Sequence, residues 1–159
     1  MKKALAILLT VVMAISSMAI SAYADTQNHE FYIPIQANSL YPNQYESARL
    51  KENSSSVYIS FMYATDVYVE NVVSSFLLSV YAGSPLTNCT GTPSSSNWNV
   101  PVRIAIGTKG YVKNWAYETY GYGAPVQIYG SPYSNSDVGV ACGDWSPDSV
   151  YESDTINYN

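Results

Sequence analysis

Histidine is almost absent from this chain, whose 159 residues include only one, His29. A Ser-His-Asp or Cys-His system needs a histidine base held beside its nucleophile. His29 lies in a polar stretch near the start of the chain, where we expect it to be exposed and incidental. A zinc site needs several histidine or cysteine ligands. The sequence therefore argues against a histidine-dependent enzyme, and we expect no metal and no cofactor.

Positive charge is also scarce, because seven Lys and Arg face twelve Asp and Glu, for a net charge of −5. Two of the seven, Lys2 and Lys3, lie in the first segment of the chain, discussed below. Binding to nucleic acid depends on clustered cations that neutralise phosphates. Attraction to an anionic lipid surface has the same requirement. We therefore expect no nucleic-acid partner and no membrane binding by the mature domain.

The chain begins like an exported protein, with a short basic start followed by an apolar stretch at residues 4–20. Ala22-Tyr23-Ala24 then matches the small-x-small pattern of a cleavage site. The sequence predicts a cleavable signal helix at residues 1–24 and a secreted, extracellular domain at residues 25–159. The alternative is an uncleaved membrane anchor, but serines interrupt the apolar run and no basic stop-transfer cluster follows it.

Cysteine is limited to Cys89 and Cys142. In an oxidising compartment an even pair predicts one disulfide, here Cys89–Cys142. The alternative is a pair of buried free thiols. A metal site is disfavoured because two cysteines without a nearby histidine form an incomplete ligand set.

Alternating apolar residues predict six to eight short strands in the mature chain. The segments with this pattern are 31–35, 57–64, 75–82, 100–106, 111–117, 126–128 and 138–142. Residues 67–73 are predicted to pair with 57–64, and the last ten residues either add an edge strand or fray. Residues 75–82 also fit a short helix, but β-branched residues and Gly83-Ser84-Pro85 favour a central strand.

Turn signals complete this prediction. Residues 107–110 predict a hairpin that joins 100–106 to 111–117, and 143–148 predict a turn. A stop is expected at 130–132. With no helix expected after the signal, the predicted fold is all-β: a single-domain antiparallel β-sandwich whose first part, residues 25–55, is partly irregular.

Tyrosine is abundant, with 16 residues. Seven aromatic residues fall between positions 111 and 133, namely Tyr111, Trp115, Tyr117, Tyr120, Tyr122, Tyr129 and Tyr133. Amphipathic rings with few charges nearby suit stacking against sugars or contact with proteins. The predicted ligand-binding residues are Trp115, Tyr117, Tyr120 and Tyr122. The alternative is that these tyrosines only pair across strands and pack.

Acidic residues allow two further hypotheses. A glycosidase needs two carboxyl groups at a defined separation, and candidates near strand ends are Glu70, Glu118, Asp137 and Asp144. Oxygen-rich loops bind calcium, and acids crowd the end of the chain at Asp144, Asp148, Glu152 and Asp154. Solvated surface acids and an ordinary turn at Asp148 are the competing interpretations.

Two segments resemble a loose group of small secreted proteins of Gram-positive bacteria, most of them uncharacterised. One is Arg-Leu-Lys-Glu-Asn-Ser-Ser-Ser-Val-Tyr at residues 49–58, and the other is Gly-Asp-Trp-Ser-Pro-Asp-Ser-Val at 143–150. The plan of a signal followed by a small Tyr-rich β domain also looks like the lactococcin-type β-sandwich bacteriocins, in architecture alone. The resemblance implies no established activity and no functional residue.

The sequence therefore favours a non-enzymatic binding protein of the bacterial cell surface. Its expected partner is a cell-wall or host glycan, or a surface protein, bound through exposed aromatic residues. One alternative is a bacteriocin-like secreted toxin. Another is a small glycoside-active enzyme that uses acids such as Glu118 and Asp144.

Overall fold

The computed structural model describes residues 28–36, 43–44, 48–65, 73–93, 96, 98–149 and 154–158. The predicted signal at 1–24 lies outside these residues, as does all of the predicted strand at 67–73 except Val73. The described residues form eleven strands and one short helix. In chain order they are β1 His29–Ile35, β2 Asn43–Gln44, β3 Arg49–Lys51, β4 Val57–Thr65, β5 Ser75–Ala82, β6 Thr87–Asn88, β7 Val102–Ala105, β8 Thr108–Val112, α1 Ala116–Tyr120, β9 Ala124–Pro132, β10 Gly139–Ser146 and β11 Ile156–Tyr158.

The first sheet has the strand order β1-β10-β4-β8-β11. Its neighbours are antiparallel except β11, which runs parallel to β8 at the edge. The register between β10 and β4 shifts between Cys142 and Gly143. A side chain at Gly143 would collide with the backbone oxygen of Ser60, so this irregularity requires glycine.

The second sheet is built around β5 and β9, which pair antiparallel. The far side of β9 takes the short strands β2 and β3, and the far side of β5 takes β6 and β7. β5 is thus the central strand that its apolar sequence predicts.

The core lies between the two sheets, because alternate residues of the long strands point inward. Phe76 of the second sheet packs against Phe31 and Phe61 of the first, with ring centroids 6.3 and 5.2 Å away. At Gly130, an added Cβ would lie 2.5 Å from Ile33 of the opposite sheet. Two packed sheets confirm the predicted all-β sandwich.

The predicted hairpin at 107–110 is wrong. β7 pairs with β5 in the second sheet, whereas β8 pairs with β4 in the first. The turn at Ile106 and Gly107 therefore carries the chain from one sheet to the other. The physical reason is that Ile104 and Val112 both bury their side chains in the shared core, from opposite sides.

Three other local predictions need correction. The strand predicted to reach residue 117 ends at Val112 and is followed by helix α1, whose buried residue is Ala116. β9 continues through residues 130–132. The predicted turn at 143–148 is strand as far as Ser146, because Trp145 is 1% exposed and packs in the core.

One end of the domain differs from the prediction and the other agrees with it. His29 is not in a loose terminus: it begins β1 and pairs with Trp145. β11 confirms the edge strand predicted in the last ten residues.

The predicted Cys89–Cys142 disulfide is not formed, and both thiols are free and buried. Cys89 belongs to the core between the sheets. Cys142 lies between Tyr32 and Tyr63 in the cross-strand register, and both of these tyrosines are exposed on the outer face of the first sheet. Cys89 therefore lies on the core side of the first sheet and Cys142 on its outer side. The alternative prediction of two buried free thiols is confirmed.

Candidate functional site

The chain around Trp115 is held by hydrogen bonds to the loop after β6. The Trp115 backbone N–H donates to the carbonyl of Cys89 at 3.1 Å, and Gly91 N–H donates to the carbonyl of Lys113 at 2.7 Å. Thr90 and Asn114 form an isolated antiparallel bridge between these two bonds. Since both segments are fixed to each other, the Trp115 side chain has a defined position at this end of the sandwich.

Trp115 is half-buried and pairs with a second tryptophan. Its inner side packs against the core. The ring of Trp98 lies edge-on to it, with centroids 6.2 Å apart and planes at 69°. Trp98 is 48% exposed. An exposed indole anchored on a half-buried one is a preorganised aromatic surface.

A groove of about 370 Å³ opens beside Trp115, the half-buried member of this pair. Most of its lining is small or polar and uncharged, with one cation and one acid. The lining residues are Ser54, Ser56, Gly91, Thr92, Pro93, Lys113, Asn114, Trp115 and Glu118. The groove thus combines an aromatic wall with hydroxyl, amide and charged groups.

Three of the predicted ligand-binding residues, Trp115, Tyr120 and Tyr122, have different surroundings in the structure. Trp115 lines the groove. Tyr122 is exposed and donates its hydroxyl to Glu52 Oε1 at 3.3 Å. Partial desolvation raises the pKa of Tyr122. The negative charge of Glu52 and the nearby Tyr117 raise it further. Tyr120 does not line the groove, because its ring covers Gly83 in the turn after β5.

Sequence reasoning missed Trp98 and the groove's polar residues. Trp98 stands in a Ser-rich loop with no alternation, so the strand pattern gave it no role. A large aromatic side chain in an otherwise polar loop was the available signal. Ser54 and Asn114 carried no signal, because their proximity depends on which loops meet at the end of the sandwich.

A buried ion pair lies next to the groove. Lys51 and Asp148 are both fully buried, and Lys51 Nζ lies 3.0 Å from Asp148 Oδ1. The ammonium also donates to the carbonyl oxygens of Ser55 and Pro147, at 2.5 and 2.6 Å. Burial lowers the pKa of Lys51, and attraction to Asp148 and then to Glu118 opposes that effect.

Asp148 also organises the loop that leads to the groove. Its Oδ2 accepts a bond from the backbone N–H of Glu52 at 2.8 Å. The Ser55 hydroxyl in turn accepts a bond from the Ser149 backbone N–H at 2.9 Å. Segments 49–58 and 143–150, which carry the sequence resemblance, therefore meet in one buried network whose role is structural.

Comparison with known proteins identifies one family. The family described as "Protein of unknown function (DUF2712)" matches residues 15–149, which is most of the chain and includes the groove and the buried ion pair. The chain belongs to the DUF2712 family. No solved structure matches the chain, and no curated protein does either.

In this DUF2712 protein the predicted acid pair is separated. Glu118 lines the groove, whereas Asp144 lines a different cavity on the outer face of the first sheet. Asp137 caps a turn by accepting a bond from the Ser134 N–H. Glu70 lies outside the described residues.

The acids considered as an alternative calcium site do not come together in the described part of the chain. Asp148 is committed to Lys51, and Asp144 and Asp154 line different cavities. Glu152 lies outside the described residues. Across those residues, no three metal-ligating side chains come together.

Within the described ranges, no helix has both the length and the apolar character needed to cross a bilayer.

Proposed function

We propose that this protein is a secreted, non-enzymatic binding protein of the bacterial cell surface, of Gram-positive type, that binds a glycan in the groove beside Trp115. The observation that carries this proposal is the Trp98–Trp115 pair at a groove lined by hydroxyl and amide groups. A sugar ring has apolar C–H faces and polar edges. The exposed indole suits the first and the serine, threonine and asparagine side chains suit the second.

The charges of the groove support a neutral or mixed-charge ligand. Lys113 and Glu118 are both exposed at its lining and carry opposite signs. A strongly anionic polymer would meet Glu118 and the acidic balance of the whole chain.

Binding to purified cell walls and to a panel of polysaccharides, with free sugar as competitor, tests the proposal. We expect saturable, competed binding and a change in tryptophan fluorescence. Trp145 is fully buried, so that change would come from Trp98 and Trp115. Trp98→Ala is expected to weaken binding by about tenfold or more, since aromatic anchors at contact sites are typically worth ~2 kcal/mol.

Tyr133→Ala is the matched control. Tyr133 is an exposed aromatic outside the groove, covered by Arg103 at 4.1 Å from its ring centroid. Its replacement should leave glycan binding unchanged. Equal binding by Trp98→Ala and the parent protein would move the site away from this groove, and failure of every polysaccharide to bind would reject the proposal.

A further inference from the structure

A second cavity lies on the outer face of the first sheet and shares no lining residue with the groove. It measures about 150 Å³. Its lining is aromatic and acidic with one thioether, and consists of Glu30, Tyr32, Met62, Tyr63, Gly143 and Asp144. Tyr32, Met62 and Tyr63 are each about half exposed, so the cavity is open to solvent.

The register of three strands builds this cavity. Tyr32 of β1 and Tyr63 of β4 are both paired with Cys142 of β10, so two large rings flank one small side chain. The next position on β10 is Gly143, which also lines the cavity and has no side chain. Two exposed tyrosine rings therefore stand on either side of a strand segment that carries only small residues.

The same register places two negative charges side by side. Glu30 pairs directly with Asp144 across β1 and β10. Like charges directly opposite each other destabilise a strand pair. Tyr32 donates its hydroxyl to Glu30 Oε2 at 2.8 Å, and Glu30 raises the pKa of Tyr32 to about 12.

We propose that this cavity binds a primary alkylammonium group. The two carboxylates would accept N–H bonds from the ammonium, and the tyrosine faces would attract its charge. Met62 and the ring edges would contact the attached methylene groups. The ammonium belongs either to a free aliphatic amine or to a lysine-type side chain, since both present the same chemistry.

Titration with ethylammonium chloride, followed by NMR of the Tyr32 and Tyr63 ring resonances, tests the site directly. We expect saturable shifts with ethylammonium and weaker ones with tetramethylammonium, which has no N–H to donate. Sodium chloride at equal ionic strength should produce none. Shifts that sodium reproduces, or shifts that do not saturate, would overturn the proposal.

Two further ligand arms distinguish the source of the ammonium. Tighter binding of N-acetyl-lysine amide than of ethylammonium would assign the site to a presented side chain. The reverse order would assign it to a free amine. Either result requires the cavity to bind ammonium.

Acid-to-amide variants locate the site. Glu30→Gln and Asp144→Asn should each weaken ethylammonium binding by about tenfold or more, as expected for loss of a hydrogen bond to a charged group. Asp154→Asn is the matched control, because Asp154 lines the neighbouring cavity on the other side of Met62. Equal loss in Asp154→Asn would reduce the effect to general electrostatics and contradict the proposal.

Folding does not confound this test. Because Asp144→Asn removes one of two opposed charges, its melting temperature should equal or exceed that of the parent protein. Trp98→Ala should retain ammonium binding whether or not glycan binding fails, so the two proposals stand or fall separately.

Discussion

Asp148 has a different role in the structure from the one that its sequence context predicts. After Pro147 it reads as an ordinary turn residue. In the fold it is fully buried against Lys51 and bonded to the backbone of Glu52. A buried charge is tolerated when it is paired and hydrogen-bonded, and removing one partner leaves the other charge without compensation.

Asp148→Ala is therefore expected to lower the free energy of unfolding by about 3–5 kcal/mol, because the Lys51 ammonium stays buried. Urea denaturation monitored by tryptophan fluorescence measures this. The double variant Lys51→Met, Asp148→Leu should recover only part of the loss, since no unpaired charge remains but the Glu52 N–H loses its acceptor. The exposed Asp154→Ala should change the free energy of unfolding little. A loss below ~1 kcal/mol in Asp148→Ala would show that the pair is not essential to the fold.

Among the elements, β10 links the first sheet to the core, to the outer-face cavity and to the buried ion pair. It is the neighbour of β1 and β4, carries Trp145 into the core and ends at the segment that Asp148 anchors. Cys142 and Asp144 are two residues apart on this strand and face outward, while Ala141 and Trp145 face the core. Gly143 is required by close approach, because the Ser60 backbone oxygen occupies the place of a side chain.

Gly143→Ala should destabilise the protein by about 3 kcal/mol, at the upper end of overpacking costs, because a backbone oxygen cannot move aside as a side chain can. Gly107→Ala is the comparison. Gly107 has open space around it, and its φ of +75° imposes a strain of only about 1 kcal/mol. Thermal or urea unfolding of both variants measures the difference. Equal destabilisation would mean that steric exclusion at Gly143 is absent.

At the scale of the whole molecule, the sandwich keeps its two cysteines apart. Cys89 faces the core and Cys142 faces outward beneath two tyrosines. Burial raises the pKa of Cys89 to about 11, so little of the reactive thiolate forms near neutral pH. The stability of the domain therefore comes from non-covalent packing around the apolar core and not from a covalent link.

A thiol-reactive reagent should accordingly modify neither cysteine in the native protein and both after unfolding in denaturant. Dithiothreitol should leave the melting temperature unchanged. The number of thiols that react in the unfolded, unreduced protein decides the matter. If none reacts there, a disulfide exists and the arrangement of the two sheets around Cys89 and Cys142 is wrong.

The all-β class and the long strands β1, β4 and β5 followed from the sequence alone. Alternation of apolar residues is a local property, and it is enforced because one face of each strand meets the core. The same logic failed where local pattern and tertiary environment disagree. Residues 143–146 look like a turn, yet burial of Trp145 keeps them in a strand.

The segments that share a sheet and the loops that meet could be identified only from the three-dimensional fold. Residues 100–106 and 108–112 are adjacent in sequence but lie in different sheets, because both must cover one core from opposite sides. Long-range packing also brings the ring of Trp98 against Trp115. It places the ring of Tyr120 over Gly83. The amino-acid sequence is enough to locate the aromatic residues, the acidic residues and the alternating apolar residues of the strands. Their grouping into a groove, an ion pair and a second cavity depends on long-range packing that no local pattern encodes.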